Sequence, residues 1–420
     1  MSGAQIQQLF DAAERAQQAG LADEARGHFH AIVALDAQEP TARNWLGVEA
    51  LSNGDADAAA DHFEQAAARD AGERSHWINL ATAQRMRGEI EAERSALERA
   101  LTLDQRDLLA LIRLAELHER EQEDAPATER WSSVLALSSG IADPTDEFAA
   151  VLAHARQFVG ARKQRLDGAV DSALADDLAR ASERDRRRME RAADHWLGRR
   201  AIFTNQCEGL HYPFLPADEF FDRALFPWLS DLEAATEIIQ TELAAILADP
   251  AAALTPYITL PPGVPESKWS PLDQSLNWGA FHLWKEGVRF DEACARAPRT
   301  AALVEALPLC HIEGRAPNIF FSILKAGGHI PAHFGVTNVR SVVHLPLIVP
   351  GDCTFRVGGE TRAWVAGEAF AFDDTIEHEA WNRSDRDRAV LIIDAWNPHL
   401  GEHERAMVNR LYAAADAART

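Results

Sequence analysis

The chain has 420 residues, of which 25% are charged and 47% hydrophobic, and it carries a formal net charge of -23 at pH 7. That length exceeds one ordinary hydrophobic core, so two or three domains are expected, and the acidic surplus repels phosphate-rich partners, which argues against nucleic-acid binding. No apolar run is long enough to span a bilayer, and the amphipathic opening MSGAQIQQLFDAAERAQQAG lacks the layout of a signal peptide. Cys207, Cys294, Cys310 and Cys353 lie far apart with no CxxC pair, which suits a reducing compartment, so a cytoplasmic protein is the expectation.

The first third repeats. Gly20, Gly54 and Gly88 recur with a period of 34 residues, each between two helical patterns. The same period aligns Phe29, Phe63, Leu97 and Trp131, then Asp36, Asp70 and Asp104, then Leu46, Leu80 and Leu114, with small residues at Gly47, Ala81 and Ala115. A glycine permits the tight interhelical turn, the large residue packs on its neighbour, and the small residue lets two helices approach. The pattern resembles tetratricopeptide repeats, helix-turn-helix units that stack into an all-α superhelix whose groove holds a peptide or protein. Three units are clear. The fourth, over residues 108 to 139, is degenerate, with Gln122 at the glycine position.

From about Phe148 to Arg200 the pattern stays helical, and acids interleave with arginines from Ala179 to Trp196 at a spacing that predicts a solvated, ion-paired face. After Ile202 prolines and aromatics thicken, and one helix is expected from about Trp228 to Leu247. Beyond Pro317 the period becomes two. NIFFSILKAG, RSVVHLPLIV, CTFRVGG, TRAWVAG, EAFAFDD and AVLIIDAW read as short strands broken by turn residues. Strands of this number and length predict a double-stranded β-helix, the jelly-roll or cupin-like barrel, with flanking helices. The expected division is therefore a repeat domain over 1–140, a helical connector over 141–200 and a barrel domain over 201–420.

Such barrels hold metals and small ligands in their mouths. His333, at the end of a loop, and His378, after another loop, are the first candidates for ligands; His329 and His344 are further histidines in the same segment. Iron oxygenases commonly use two histidines and a carboxylate, with the acid two residues after the first histidine. Here Gly335 stands at that position, and Asp373 and Asp374 precede the second histidine. The residues alone leave open a two-histidine site or no metal site.

The stretches HFGVTNVRSVVHLPLIVP from His333, GGETRAWVAGEAFAFDDTIEHEAWN from Gly358 and RAVLIIDAWNP from Arg388 resemble the aspartyl/asparaginyl β-hydroxylases, which use Fe(II) and 2-oxoglutarate. The resemblance covers roughly residues 200 to 400, and some members of that family also carry tetratricopeptide repeats. It implies His333 and His378 as the iron ligands, a glycine in place of the acid, and Ser322 with Arg388 on the distal carboxylate of 2-oxoglutarate. It further implies that His344 contacts the cosubstrate, that Arg340 faces a substrate carboxylate, and that Asp374 lines the same pocket, while His329 is structural. Val342 departs from the family, whose animal members have a second arginine there.

The activity implied is hydroxylation of an Asp or Asn side chain at its β-carbon, with the repeats presenting a polypeptide. A halogenase, a hydroxylase of lipid acyl chains or a small molecule, and a repeat-based adaptor with an inactive barrel are the competing readings.

Overall fold

The computed structural model describes residues 2–249 and 254–418. They divide into two compact units at Asp176 and Asp177. The first unit is helical. Helices α1 (Ser2–Gln18), α2 (Ala22–Leu35), α3 (Pro40–Ser52), α4 (Ala56–Arg69), α5 (Arg74–Arg87), α6 (Ile90–Leu103), α7 (Leu108–Arg120) and α8 (Asp124–Leu137) form four successive tetratricopeptide-like hairpins, and α9 (Asp146–Arg180) follows.

The repeated residues do what their spacing predicts. Gly20, Gly54 and Gly88 turn each hairpin at φ values of 75°, 79° and 74°. Phe29, Phe63, Leu97 and Trp131 are all buried between helices. Gly47 lies so close to Phe63 that a Cβ there would come within 2.6 Å of the ring. The degenerate unit keeps the same turn without a glycine, because Gln122 adopts φ 60°. That conformation costs a side-chain-bearing residue on the order of 1 kcal/mol, and beside the turn Trp131 of α8 packs with Leu111 and Ala115 of α7 and Leu152 and Ala155 of α9.

The second unit begins with α10 (Glu183–Trp196), and here the structure differs from the expected pairing within the helix: Arg187 pairs with Asp218 at 3.3 Å and Arg191 with Glu360 at 3.0 Å, both acids lying outside α10. The single helix expected from Trp228 to Leu247 is two, α11 (Leu229–Ala234) and α12 (Thr236–Ala248), interrupted at Ala235. Helices α13 (Asp291–Arg296) and α14 (Pro298–Glu305) sit between strands, and α15 (Glu402–Ala417) closes the chain's described part.

The strands are β1 (Thr255–Pro256), β2 (Trp278–Lys285), β3 (Val288–Arg289), β4 (Ile319–Leu324), β5 (His329–His333), β6 (Arg340–Ile348), β7 (Cys353–Val357), β8 (Glu360–Ala363), β9 (Phe370–Phe372), β10 (His378–Asn382) and β11 (Arg388–Trp396). Among the described residues they make two antiparallel sheets, one ordered β1-β2-β4-β11-β6-β9 with β3 beside β2, the other β5-β10-β7-β8.

Alternation along the strands of the larger sheet sorts its side chains into two cores. Ile319, Phe321 and Ile323 of β4, Val343, Leu345 and Leu347 of β6, and Leu391 and Ile393 of β11 pack with α11, α12 and α14. The other parity, Leu324, Val342 and Val390, faces Phe355, Val357 and Ala380 of the smaller sheet. Ser322, Arg340, His344, Arg388 and Asp394 share that inner parity, so period two brings polar residues of three strands to one face.

Candidate active site

His333 and His378 were expected at loop ends, and the structure corrects this. His333 is the last residue of β5 and His378 the first of β10, and the two are direct register partners across an antiparallel pair. Pro331 and the polar residues around it mask the period-two signal of β5. A proline is tolerated there because β5 is an edge strand. The two rings lie with centroids 4.0 Å apart.

Each ring is held in the same way. His333 Nδ1 lies 2.8 Å from the carbonyl oxygen of Pro331 and His378 Nδ1 2.9 Å from that of Ile376. A carbonyl only accepts, so both Nδ1 atoms carry hydrogen and both Nε2 atoms keep a lone pair. Burial lowers the pKa of His333 to about 4, and burial together with the neighbouring His333 holds His378 well below the usual histidine range. Two neutral imidazoles oriented by backbone carbonyls are suited to a metal ion.

No third side chain from the position two residues after His333 can join them. A Cβ on Gly335 would lie 2.1 Å from Oδ2 of Asp374, so the carboxylate of Asp374 already fills that space. The Gly335 N–H also donates to the Asp374 carbonyl at 2.5 Å. Among the described residues, no group of three or more His, Cys, Asp or Glu side chains forms a metal-binding cluster.

Ser322, His344 and Arg388 gather at one end of the cavity. Arg388 is 2% exposed, yet its Nε and Nη2 have no hydrogen-bond partner among the described residues. Its guanidinium lies 4.7 Å over the Trp364 ring, and burial pushes its pKa down to about 10. Ser322 is fully buried and its Oγ accepts the indole N–H of Trp278 at 3.0 Å, which leaves the hydroxyl proton free to donate. His344 stacks on Trp364 at 5.4 Å, and burial followed by the charge of Arg388 keeps it neutral. A buried pocket with several unspent donors fits one carboxylate.

Arg340 and Asp374 occupy another wall. Arg340 donates from Nη1 to Asp394 at 2.9 Å and from Nη2 to Asp374 at 3.3 Å. Burial opposes the charge of Arg340, but the two carboxylates more than offset it and raise its pKa. Burial raises Asp374 to about 7 against the pull of Arg340. Asp373 is used structurally, accepting from the backbone and hydroxyl of Thr375 and from Asn205. His329 lies at the far end of β5, stacked on Trp381 at 5.3 Å and 3.2 Å from Glu379, away from the histidine pair.

All these candidate residues except His329 and Asp373 line one cavity of about 1510 Å³. Its wall includes the stacked rings of Tyr257 and Trp278, 4.0 Å apart, and Trp269 set edge-on to His333 at 5.1 Å. Sequence reasoning gave no role to Trp278, Trp364 or Asp394. Only Asp394 carried a signal, as a charge inside the apolar run LIIDAW.

The fold and site define a class: an antiparallel two-sheet protein with a histidine pair and an unpaired buried arginine in one cavity. Residues 233–398 match the model of the family described as Aspartyl/Asparaginyl beta-hydroxylase. The human aspartyl/asparaginyl beta-hydroxylase is 38% identical over 141 residues, 32% of this chain and 18% of that one. The human aspartate beta-hydroxylase domain-containing protein 2 is 34% identical over 142 residues, 33% of this chain and 38% of that one. The ornithine lipid ester-linked acyl 2-hydroxylase of Rhizobium tropici is 32% identical over 192 residues, 45% of this chain and 64% of that protein. The chain thus spans less than two thirds of each of these relatives.

Proposed function

We propose that the second unit is an Fe(II)- and 2-oxoglutarate-dependent hydroxylase, built as a double-stranded β-helix of the jelly-roll, cupin-like kind. The carrying observation is that two neutral histidines, each held through Nδ1 by a backbone carbonyl, share a cavity with buried Arg388, whose Nε and Nη2 have no partner among the described residues. His333 and His378 would hold the iron, and Ser322 and Arg388 the distal carboxylate of 2-oxoglutarate, with His344 beside it. When bound, iron and cosubstrate supply with oxygen the power to replace a C–H bond by C–OH, giving succinate and carbon dioxide. The chain's own residues orient and exclude water: Pro331 and Ile376 carbonyls fix the imidazoles, Trp364 covers Arg388, and Trp278 holds Ser322.

The substrate read from the family is an Asp or Asn side chain, hydroxylated at its β-carbon in a peptide or protein, with Arg340 and Asp374 on the substrate side and the repeats binding the polypeptide. A second reading, a lipid acyl chain, is favoured by the similarity to the Rhizobium acyl hydroxylase and by apolar residues exposed along the cavity, Tyr257, Phe290, Val336 and Leu411. No helix of the described residues is long and apolar enough to cross a membrane. Our reading keeps a cytoplasmic location and the division into repeats over 1–140, connector over 141–200 and oxygenase over 201–420.

Purified protein given Fe(II), 2-oxoglutarate and oxygen is expected to release succinate, and His378→Ala to abolish the release. Absence of both iron binding and succinate in the unaltered protein overturns the reading. Incubation with separate peptide and phospholipid substrates, read by mass spectrometry for one added oxygen, decides between the two substrates.

A further inference from the structure

The rings around the histidine pair differ in kind from one side to the other. Against His378 lie two phenyl rings, Phe372 with centroids 5.2 Å apart and Phe355 at 6.0 Å. Against His333 lie two indoles, Trp269 at 5.1 Å and Trp278 at 6.4 Å. Either kind of ring packs well on an imidazole, so packing does not call for the difference. Redox chemistry does separate them. An indole gives up an electron far more readily than a phenyl ring, and so does a phenol whose proton can leave.

The oxidisable side continues outward. Trp278 opens β2 and is 5% exposed, and its ring is stacked on that of Tyr257 with centroids 4.0 Å apart and planes 26° from parallel. The backbone fixes this stack. The Tyr257 N–H donates to the Trp278 carbonyl at 2.9 Å, next to the pairing of Thr255 and Pro256 with Ala280 and Gly279. Tyr257 is 40% exposed, so His333, Trp278 and Tyr257 lead from the buried pair to solvent in two ring-to-ring steps. The indole N–H of Trp278 is donated to Ser322 Oγ at 3.0 Å. A hydroxyl is too weak a base to remove that proton, so Trp278 can lose and regain an electron while keeping it.

We propose that Trp278 and Tyr257 form an electron relay that discharges the oxidant made at the histidine pair when no substrate is there to consume it. That oxidant stands two electrons above Fe(II), and its discharge to Fe(II) and water takes two electrons together with two protons from solvent. Each electron passes from Tyr257 through Trp278 to the iron. Tyr257 loses its phenol proton to solvent and becomes a phenoxyl radical. An external one-electron reductant such as ascorbate restores the phenol by giving back one electron and one proton, and two such rounds complete the balance. The proposal rests on the oxygenase reading above and adds a protective function to it.

The test loads the full chain with Fe(II) and 2-oxoglutarate without oxygen or substrate, then mixes in oxygen and freezes samples for electron paramagnetic resonance. Succinate and bound iron are measured in parallel. A phenoxyl signal is expected, and ascorbate is expected to remove it. The chain has 3 tyrosines, which makes the assignment direct. Tyr257→Phe is expected to abolish the signal, while Tyr212→Phe and Tyr412→Phe keep it. Trp278→Phe keeps Tyr257 but interrupts the relay with a phenyl ring, and is expected to lose most of the signal. Should either relay variant fail to fold, read by its melting curve, peptide maps of the unaltered chain after turnover without ascorbate carry the test, with oxidation expected at Tyr257.

Succinate release without a phenoxyl signal overturns the proposal while the oxygenase reading stands. So does a signal unchanged in folded Tyr257→Phe or Trp278→Phe, or a peptide map with oxidation elsewhere and none at Tyr257. Iron binding without succinate also overturns it, because no oxidant then forms to be discharged. Absence of both iron binding and succinate removes the oxygenase reading and the proposal with it.

Discussion

Two buried arginines line the same cavity, and their surroundings are opposite. Arg340 lies between Asp374 and Asp394, whereas Arg388 has no carboxylate within bonding distance among the described residues and rests on the Trp364 ring. A buried cation that is fully paired belongs to the wall that contains it. A buried cation left unpaired carries a standing cost of desolvation, seen in its depressed pKa of about 10, which a bound anion would relieve. The comparison separates an arginine ion-paired to two carboxylates from one whose charge is left for an anion to meet, although the family resemblance gives each of them a carboxylate to face.

The largest effect that tests the contrast is on folding. Arg340→Met leaves two buried carboxylates without their cation and is expected to cost about 3 kcal/mol or more, read as a lower denaturant midpoint with an unchanged slope. Arg388→Met is expected to leave stability unchanged or higher, because it removes an uncompensated charge, while weakening 2-oxoglutarate binding by about 100-fold, roughly 2.7 kcal/mol, in calorimetry. If both arginines behave alike in both measurements, the distinction fails.

A smaller effect concerns pH. Asp374 has a folded pKa of about 7, raised from 3.8 chiefly by burial. The unfolded chain therefore ionises this group first, and its contribution to stability falls as pH rises through the window between those values. Asp374→Asn is expected to abolish that slope, so its stability relative to the unaltered protein should improve from acid to neutral pH in parallel urea titrations. A constant difference across the window would show that burial does not penalise this carboxylate.

The smallest effect sharpens the Arg388 end. Trp278→Phe removes the indole N–H from Ser322 and is expected to weaken 2-oxoglutarate binding by about 1 kcal/mol. In a Ser322→Ala background the same change should add almost nothing, because the two residues act through one hydrogen bond. Additive losses would mean that Trp278 acts through its packing on Tyr257.

Much of the fold was legible because it depends on local periodicity. Gly20, Gly54 and Gly88 mark turns that need a left-handed residue, and the alternating runs around Phe321, Leu345 and Leu391 became β4, β6 and β11. The fourth hairpin was legible only in part, since Gln122 takes the conformation that glycine takes in the other three turns. The strands β5 and β10 were not legible as strands, because each is short, polar and defined by its pairing partner.

At the site, the sequence by itself determined the residue types: two histidines at 333 and 378, a glycine where an acid is usual, and an arginine opening an apolar strand at 388. Parity along a strand further fixes which of them share a face. Only the tertiary structure decided what each charge meets. Pairing brought His333 opposite His378, placed the Asp374 carboxylate in the space beside Gly335, and gave Arg340 two anions while giving Arg388 none. Those outcomes depend on distances across strands far apart in the chain, and a charge's role is set by its neighbours in space.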